Sequence, residues 1–509
     1  MMSARRASLW LVLLLSSVPA WSSPQPVPSD TRAEALADFD FMVGYLQRNY
    51  AGWDHKVESN PERKAEFNAM ARRQRGIIAE EPAKAGAAMR DLLAWFKDRH
   101  TGLEFLGAEP GTQAAPAAAT STPAVVPQRV QTESIDVEHL RKRLARKDEK
   151  NPMQGLWESD DGKYRAAIVP KNKKTGQWRA LILQSDVQGW GQGQRKFTIH
   201  DTGDEAKSAV YVMRDRSEKA MQATLLAGGD LIRFHSDDGV TFWWKRSGVN
   251  ADALLDRHVP SDEFFLRALS TKTLWLRLPD FSVEGRQAIE KLLDDNASAL
   301  ASTPNLIIDL RGNSGGSDSS YRRIVELICT RPIYTPTVEF RATEDNARAN
   351  ERLIRDIPGL SDSDRASIAD LANNLRAGGG GWYRLGKRDF LVQDCSVRRA
   401  NPANVGILVT GAGSSGEQFV LAARESQKVT LFGGNTAGVI DYSNVRYVDL
   451  PSGKYRLEYA TSRSMRLPDE PLDGAGIPPD VRLGEETPDQ VGYVQHWLEA
   501  RGDATPDSP

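Results

Sequence analysis

Ser414 stands in the run VGILVTGAGSSGEQFVLAA, residues 405–423, where an apolar strand breaks into a Gly/Ser turn and the turn opens a helix. A hydroxyl at that junction lies beside unpaired helix N–H groups and the positive end of a helix dipole, a setting that favours a developing oxyanion. The order Gly413-Ser414-Ser415-Gly416 is not the G-x-S-x-G elbow, and a serine that merely caps a helix has the same local pattern. A second segment, residues 306–316, reads LIIDLRGNSGG. Its glycines, Gly312, Gly315 and Gly316, let the backbone approach a ligand closely and expose N–H groups, as an anion nest or as a plain strand-turn-helix connection. The segment lacks the Gly-Lys-Ser/Thr ending that grips phosphate and magnesium. The third feature is His100 in KDRHTGL, one of seven histidines, after an amphipathic helical stretch and before a turn. Imidazole titrates near neutrality, which suits a general base.

These residues need a frame. From residue 262 onward, strands and helices alternate: strands at 273–278, 306–310, 405–410 and 429–432, helices at 284–300, 318–330 and 417–426. That alternation predicts an α/β layer structure with partly parallel strands. Residues 31–105 read as helical, with Phe39, Met42 and Tyr45, and later Met89, Leu92 and Phe96, near helical spacing. Residues 107–134 have the Ala, Pro and Thr composition of a linker. Residues 151–248 change character again. Short runs such as YRAAIV and WRALIL are separated by Gly, Asp and Asn clusters, as in antiparallel β hairpins closing a small barrel or sandwich. Trp157, Trp178, Trp190, Trp243 and Trp244 give this block its own core. A structural or substrate-presenting insert is the expectation, with a ligand-binding barrel as the alternative.

Composition sets the outer bounds. The chain has 509 residues, 40% hydrophobic and 26% charged, enough for about three domains and unlike a disordered polymer. Lys plus Arg number 66 and Asp plus Glu 68, so no overall basic footprint for nucleic acid exists. Two cysteines, Cys329 and Cys395, exclude a disulfide scaffold and a Cys-rich zinc site; they form either one bond or two buried thiols. Arg5 and Arg6, the apolar run 9–15 and the small residues up to Ser22 have the order of a secretory signal. The run is too short to span a bilayer, and no later segment reaches 18 apolar residues. The expected place is the periplasm or outside the cell, with no integral membrane segment after signal removal.

Taken together, DLRGNSGG, GAGSSGE and the later DGAGIPPDVRL (473–483) resemble, in that order, the tail-specific, C-terminal processing and tricorn-type serine proteases. The helices ending in DRHTGL resemble that family's leader. The resemblance covers residues 31–105 and about 262–485, and it implies a crotonase- and ClpP-like spiral of ββα units within a multi-domain α+β chain. It implies Ser414 as nucleophile, with one oxyanion N–H from Ser415 and the other from Gly315 or Gly316. One branch of the family uses a lysine about 25 residues after the serine. Val439 stands there, and no lysine occurs between Lys428 and Lys454, so the branch with an N-terminal histidine fits and His100 is the implied base. Asp473 occupies the place of the third, carboxylate member, although the pattern there is Glu. Asp98 and Glu417 are rival carboxylates.

The expected division is then a signal peptide at 1–22, a helical domain at 31–105, a linker at 106–133, a β-rich insert at 134–255 where many relatives carry a PDZ domain, a catalytic core at 256–485, and a C-terminal helix and tail at 486–509. The implied activity is a serine endopeptidase acting on polypeptide or peptide, with no metal or organic cofactor. A non-catalytic peptide- or lipid-binding protein and an acyl hydrolase are the alternatives. Neither the cleavage preference nor the oligomeric state is legible.

Overall fold

Residues 306–310 are apolar on both faces until Asp309, the pattern of a strand covered from both sides, and they form the middle of the main sheet. The computed structural model describes residues 32–106, 131–145, 151–172, 176–201, 203–204, 206–236, 240–248, 251–484, 487 and 489–503. The expected signal peptide and nearly all of the expected linker lie outside the described residues. The chain divides into two units, one made of residues 1–110 and 260–509, the other of residues 111–259.

The first unit opens with helices α1 (Arg32–Asn49), α2 (Pro61–Glu80) and α3 (Ala85–Ala94). Asn60 starts α2 by accepting the N–H groups of Glu62 and Arg63, and Pro61 at the first helical position has no N–H to waste. Phe39, Met42 and Tyr45 from α1 meet Met89 and Leu92 from α3 around Phe67. The leader then ends in strand β1 (Gly102–Phe105), where the sequence pattern alone extends helix to residue 105. Long-range pairing with residues 455–458 overrides the local pattern.

The second unit holds α4 (Val137–Leu144), eight strands and α5 (Ala251–His258). The strands are β2 (Gly155–Ser159), β3 (Tyr164–Asn172), β4 (Gln177–Ser185), β5 (Arg195–His200), β6 (Ala206–Val212), β7 (Glu218–Leu226), β8 (Leu231–His235) and β9 (Thr241–Arg246). They form a closed antiparallel barrel, with β9 pairing back on β2. Trp157, Phe197, Phe234 and Trp244 are fully buried in it. Eight strands enclose about enough room for their own side chains, and these aromatics make the interior a packed core. Lys196 donates to the Val212 carbonyl at 2.8 Å and sits over the Tyr164, Trp190 and Tyr211 rings. Burial pulls its ammonium down to about 7.

The first unit resumes with β10 (Phe265–Ala268), β11 (Thr273–Arg277), α6 (Val283–Asp295), α7 (Ala297–Ser302) and β12 (Asn305–Asp309). There follow α8 (Arg322–Ile328), β13 (Ile333–Pro336), β14 (Val338–Arg341), α9 (Glu344–Asp356), α10 (Asp362–Ala377), β15 (Trp382–Arg384) and β16 (Phe390–Gln393). Last come β17 (Asn404–Leu408), α11 (Ser415–Ala423), β18 (Val429–Gly433), β19 (Tyr442–Asp449), β20 (Tyr455–Ser464), β21 (Val481–Arg482) and α12 (Gln490–Asp503). The main sheet has the order β10-β11-β12-β17-β18-β21. All its pairs are parallel except β10 with β11. Each new parallel strand is laid beside the previous one, so the core winds in one direction, as the resemblance implies. One face packs on Ile289, Ile324, Phe419 and Val420, and the other on Val491, Val494 and Leu498 of α12. A second sheet, β1-β20-β14-β15 with β19 beside β20, carries the helical leader. Its Tyr455, Leu457 and Tyr459 complete the core of α1–α3.

The helix expected at 318–330 begins only at Arg322. Residues 317–320 instead fold back on the preceding loop, where the Ser320 hydroxyl donates to the Phe281 carbonyl. The stretch expected as one helix at 284–300 breaks at Asn296 into α6 and α7. Cys329 and Cys395 are disulfide-bonded, which decides the alternative the sequence leaves open.

Candidate active site

Residues 405–408 run as β17 through the middle of the sheet, and α11 departs at Ser415. The turn between them must reverse the chain in a few residues, and the strain falls on Ser414. Its φ is +54° and ψ −121°, a region that costs a non-glycine residue about 1–3 kcal/mol. Backbone hydrogen bonds on both sides hold it there: Gly416 N–H to Gly413 O at 2.8 Å, Glu417 N–H to Ser414 O at 2.9 Å, and Ala437 N–H to Ala412 O at 2.8 Å. The flanking glycines have a packing reason. A Cβ at Gly413 would stand 3.2 Å from Val439 Cγ2, and one at Gly416 would stand 2.8 Å from Asn313 Oδ1. The Ser414 side chain is buried, and its Oγ has no hydrogen-bond partner among the described residues.

Opposite the turn lies the loop after β12. The Asp309 carboxylate accepts from Arg311 Nε at 2.9 Å and Nη2 at 2.7 Å, and Arg277 donates to the Asp309 and Arg311 carbonyls. Burial pushes the Asp309 carboxyl up, but Arg311 and Arg277 outweigh it and hold the group below the usual carboxylate range. Asn313 then does three things. Its Nδ2 donates to Leu278 O, its Oδ1 accepts the Gly315 N–H at 2.8 Å, and its carbonyl accepts the Gly413 N–H at 2.9 Å. The loop is thereby fastened to the serine turn.

That bonding distinguishes the two glycines. The Gly315 N–H is spent on Asn313, whereas the N–H groups of Gly316 and Ser415 donate to no described protein group. The Ser415 hydroxyl donates to the Gly316 carbonyl at 3.0 Å, which keeps these two residues adjacent. Two unspent N–H donors therefore flank the turn that carries Ser414.

His100 is set by the turn that ends the helical leader. Asp98 Oδ1 accepts the His100 N–H at 2.9 Å, and Asp98 Oδ2 accepts the Tyr50 hydroxyl at 2.7 Å. The His100 ring is buried, and its Nδ1 lies 2.6 Å from the Tyr442 carbonyl. A carbonyl only accepts, so Nδ1 carries a proton, and in the neutral ring this leaves Nε2 as the basic nitrogen, the tautomer a general base requires. The Tyr442 hydroxyl meets His55 Nδ1 at 2.5 Å.

One strap of chain, residues 436–442, links these parts. Thr436 Oγ and the Gly438 N–H donate to Glu417 Oε1, and the Val439 N–H donates to Glu417 Oε2. The Ile440 and Asp441 N–H groups both donate to Asp473 Oδ1 at 2.8 Å. The next carbonyl, that of Tyr442, receives His100. Asp441 is in turn held by Arg466 at 3.0 Å and by the N–H groups of Leu472 and Asp473. Ser414, Ser415 and Gly316 are brought together directly, while Glu417, Asp473 and His100 are brought to the same strap. His100 makes no hydrogen bond to Ser414 Oγ, and Asp473 makes none to the His100 ring. Glu417 bonds the strap and Asp98 bonds the histidine turn; each braces the site from behind. Asn313 and Tyr442 are the residues that sequence reasoning misses. Asn313 sits inside the glycine motif, whose asparagine was the available signal. Tyr442 acts through its carbonyl, which no residue type announces.

Burial pushes the Asp473 carboxyl up to about 7, with the negative charges of Asp98 and Asp441 adding to the effect. A carboxyl that titrates near 3.9 when unfolded and near 7 when folded favours the folded state while protonated. Its contribution is complete below pH ~4 and is lost as pH rises through ~7. Asp473→Asn keeps an acceptor for the two strap N–H groups without the charge. The variant's melting temperature is expected to gain on wild type between pH ~5 and ~8. A difference between the two proteins that stays flat across that range would mean Asp473 is ionised throughout.

Residues 272–483 match the family model described as peptidase family S41. This segment contains the glycine loop, the serine turn, the strap and Asp473, and His100 precedes it. No curated protein matches the sequence. Among solved structures the chain is similar to mature CPAF, at 13% identity and a TM-score of 0.46 over 93% of this chain and 99% of that one. It is also similar to the photosystem II D1 C-terminal processing protease, at 13% identity and 0.36 over 90% and 93%. A lipoprotein from Streptococcus agalactiae aligns at 17% identity and 0.28 over 50% and 75%. Likenesses this distant assign no residue and no substrate. The likeness to peptidase family S41 is thus carried by residues 272–483, fewer than half of the 509.

Proposed function

We propose that the chain cleaves polypeptides as an endopeptidase through an acyl-enzyme on Ser414, with His100 as general base, after export from the cytoplasm. The observation that carries this reading is Ser414 itself: a strained, buried hydroxyl with no described partner, beside two unspent N–H groups. In this mechanism Ser414 Oγ attacks the peptide carbonyl, and His100 Nε2 takes the hydroxyl proton. The N–H groups of Ser415 and Gly316 receive the oxyanion. The proton passes from Nε2 to the leaving amine as the C–N bond breaks. Water then attacks the ester, giving its proton to Nε2, and the acid product leaves as Ser414 recovers its hydrogen. His100 must reach Ser414 for this to run, and hydrogen bonds of this kind commonly tighten only with substrate bound.

Labelling of the full mature chain with a fluorescent fluorophosphonate tests the reading. Wild type and Ser415→Ala are expected to label, while Ser414→Ala and His100→Ala are not. A well-folded wild type that does not label would favour a peptide- or lipid-binding protein using the same cleft. A labelled chain that cleaves simple esters but not peptides would favour an acyl hydrolase.

A further inference from the structure

Among the described residues, the exposed large apolar side chains are Tyr334, Phe390, Val392, Val397 and Tyr493. Four of the five lie on or beside one small feature, the two-stranded ribbon of β13 and β16. Apolar residues scattered singly over a surface need no explanation, but a cluster does. The register explains the cluster. Tyr334 pairs with Val392 and Pro336 with Phe390, so these four share one face. Tyr334 is 51%, Val392 44% and Phe390 38% exposed, and the Tyr334 and Phe390 rings are 5.5 Å apart. Ile333, on the other face, is buried in the core with Phe419 and Val420 of α11. The ribbon therefore turns an apolar face outward from the same core that carries the Ser414 helix.

Three further observations identify what fits there. The ribbon is a separate two-stranded sheet, so each strand keeps one edge without a strand partner among the described residues. The Cys329–Cys395 disulfide ties the end of β16 to the end of α8, which lowers the ordering cost of using that edge. Residues 384–399 also carry the exposed cations Lys387, Arg388, Arg398 and Arg399, none with an ion pair among the described residues. Of the two acids in the same stretch, Asp389 is paired with Arg384 and Asp394 stands alone. A two-fold contact of the patch with itself would bring two such cationic sets together, which argues against a second copy as occupant.

We propose that this ribbon docks an extended polypeptide segment as a third strand, apolar where it crosses the ribbon and acidic at its two ends, because Lys387 and Arg388 precede β16 and Arg398 and Arg399 follow it. The apolar side chains would lie on Tyr334, Phe390 and Val392, and the acidic ones would meet the four cations. The assignment rests on the peptidase reading only in taking that segment to belong to the substrate.

The test is fluorescence anisotropy with a labelled ten-residue peptide carrying Val and Phe at its centre and Glu at both ends, on the full chain carrying Ser414→Ala. Binding without turnover keeps this result separate from the labelling experiment. The expected outcome is saturable, salt-sensitive binding, weakened about tenfold or more by Tyr334→Ser with Phe390→Ser and by Lys387→Glu with Arg388→Glu. In the otherwise wild-type chain, these surface variants are expected to cleave a short uncharged peptide at an unchanged rate. Three results would overturn the proposal: equal binding of a Lys-for-Glu peptide, wild-type affinity in both pairs of variants, or a concentration-dependent dimer that Phe390→Ser abolishes.

Discussion

Ser414→Ala is expected to lower kcat/KM for peptide hydrolysis by about 10⁶ and to raise the melting temperature at the same time. The first effect follows from the loss of the attacking oxygen. The remaining N–H donors and the bound geometry leave only the residual rate that such sites retain over water. The second effect follows from the burial of that oxygen. A buried polar atom without a partner costs about 1–3 kcal/mol, and here Ser414 Oγ is such an atom. Alanine removes the oxygen and keeps the Cβ, so the strained φ persists while the desolvation cost disappears. Ser414→Gly would relieve the backbone strain as well, because φ +54° is ordinary for glycine. Calorimetry beside a peptide-cleavage assay reads both effects. Loss of activity with a lowered melting temperature would mean that the hydroxyl is paired in solution, and retained activity would place the nucleophile elsewhere.

That prediction depends on a feature no sequence pattern contains. The run 405–423 shows a strand, a turn and a helix, because apolar periodicity and glycine placement are local properties. It does not show that the turn forces Ser414 to positive φ. That follows from bonds to Asn313 and to residues 436–439, about 100 residues before and 20 after it. His100 shows the same division. Its residue type and the helix before it are readable, but its tautomer is set by a carbonyl 342 positions away. The barrel was legible as hairpins with an aromatic core because antiparallel neighbours are neighbours in sequence as well. Its closure rests on the one non-sequential ladder, β9 with β2. The helical reading runs on through strand β1 for the same reason: its partners lie 350 to 356 positions later. The carboxylates were ambiguous because Asp98, Glu417, Asp441 and Asp473 differ only in what they are bonded to.

Gly316→Ala is expected to lower kcat by about 10²–10³ with little change in KM, whereas Gly312→Ala in the same loop is expected to leave kcat within a few-fold of wild type. Both glycines have positive φ, +143° and +67°, so both substitutions carry a backbone penalty. They differ in what a side chain would meet. A Cβ at Gly312 has nothing within 4 Å, and its φ lies in the left-handed region that alanine enters at about 1–2 kcal/mol. A Cβ at Gly316 would stand 2.2 Å from the Phe281 carbonyl carbon and oxygen and 2.6 Å from Ser282 N. Backbone atoms cannot rotate aside, so the loop itself must move. The bonds that fix it would open: Phe281 N–H to Gly315 O and Ser317 N–H to Phe281 O, each 2.7 Å. The Ser415 hydroxyl would lose its hold on the Gly316 carbonyl, and the unspent Gly316 N–H would leave its place beside Ser414. An oxyanion donor acts only once charge develops on the carbonyl oxygen, which is why the loss falls on kcat rather than on KM. Equal effects of the two substitutions would assign both to loop stability. A normal kcat in Gly316→Ala would leave Ser415 as the donor that matters.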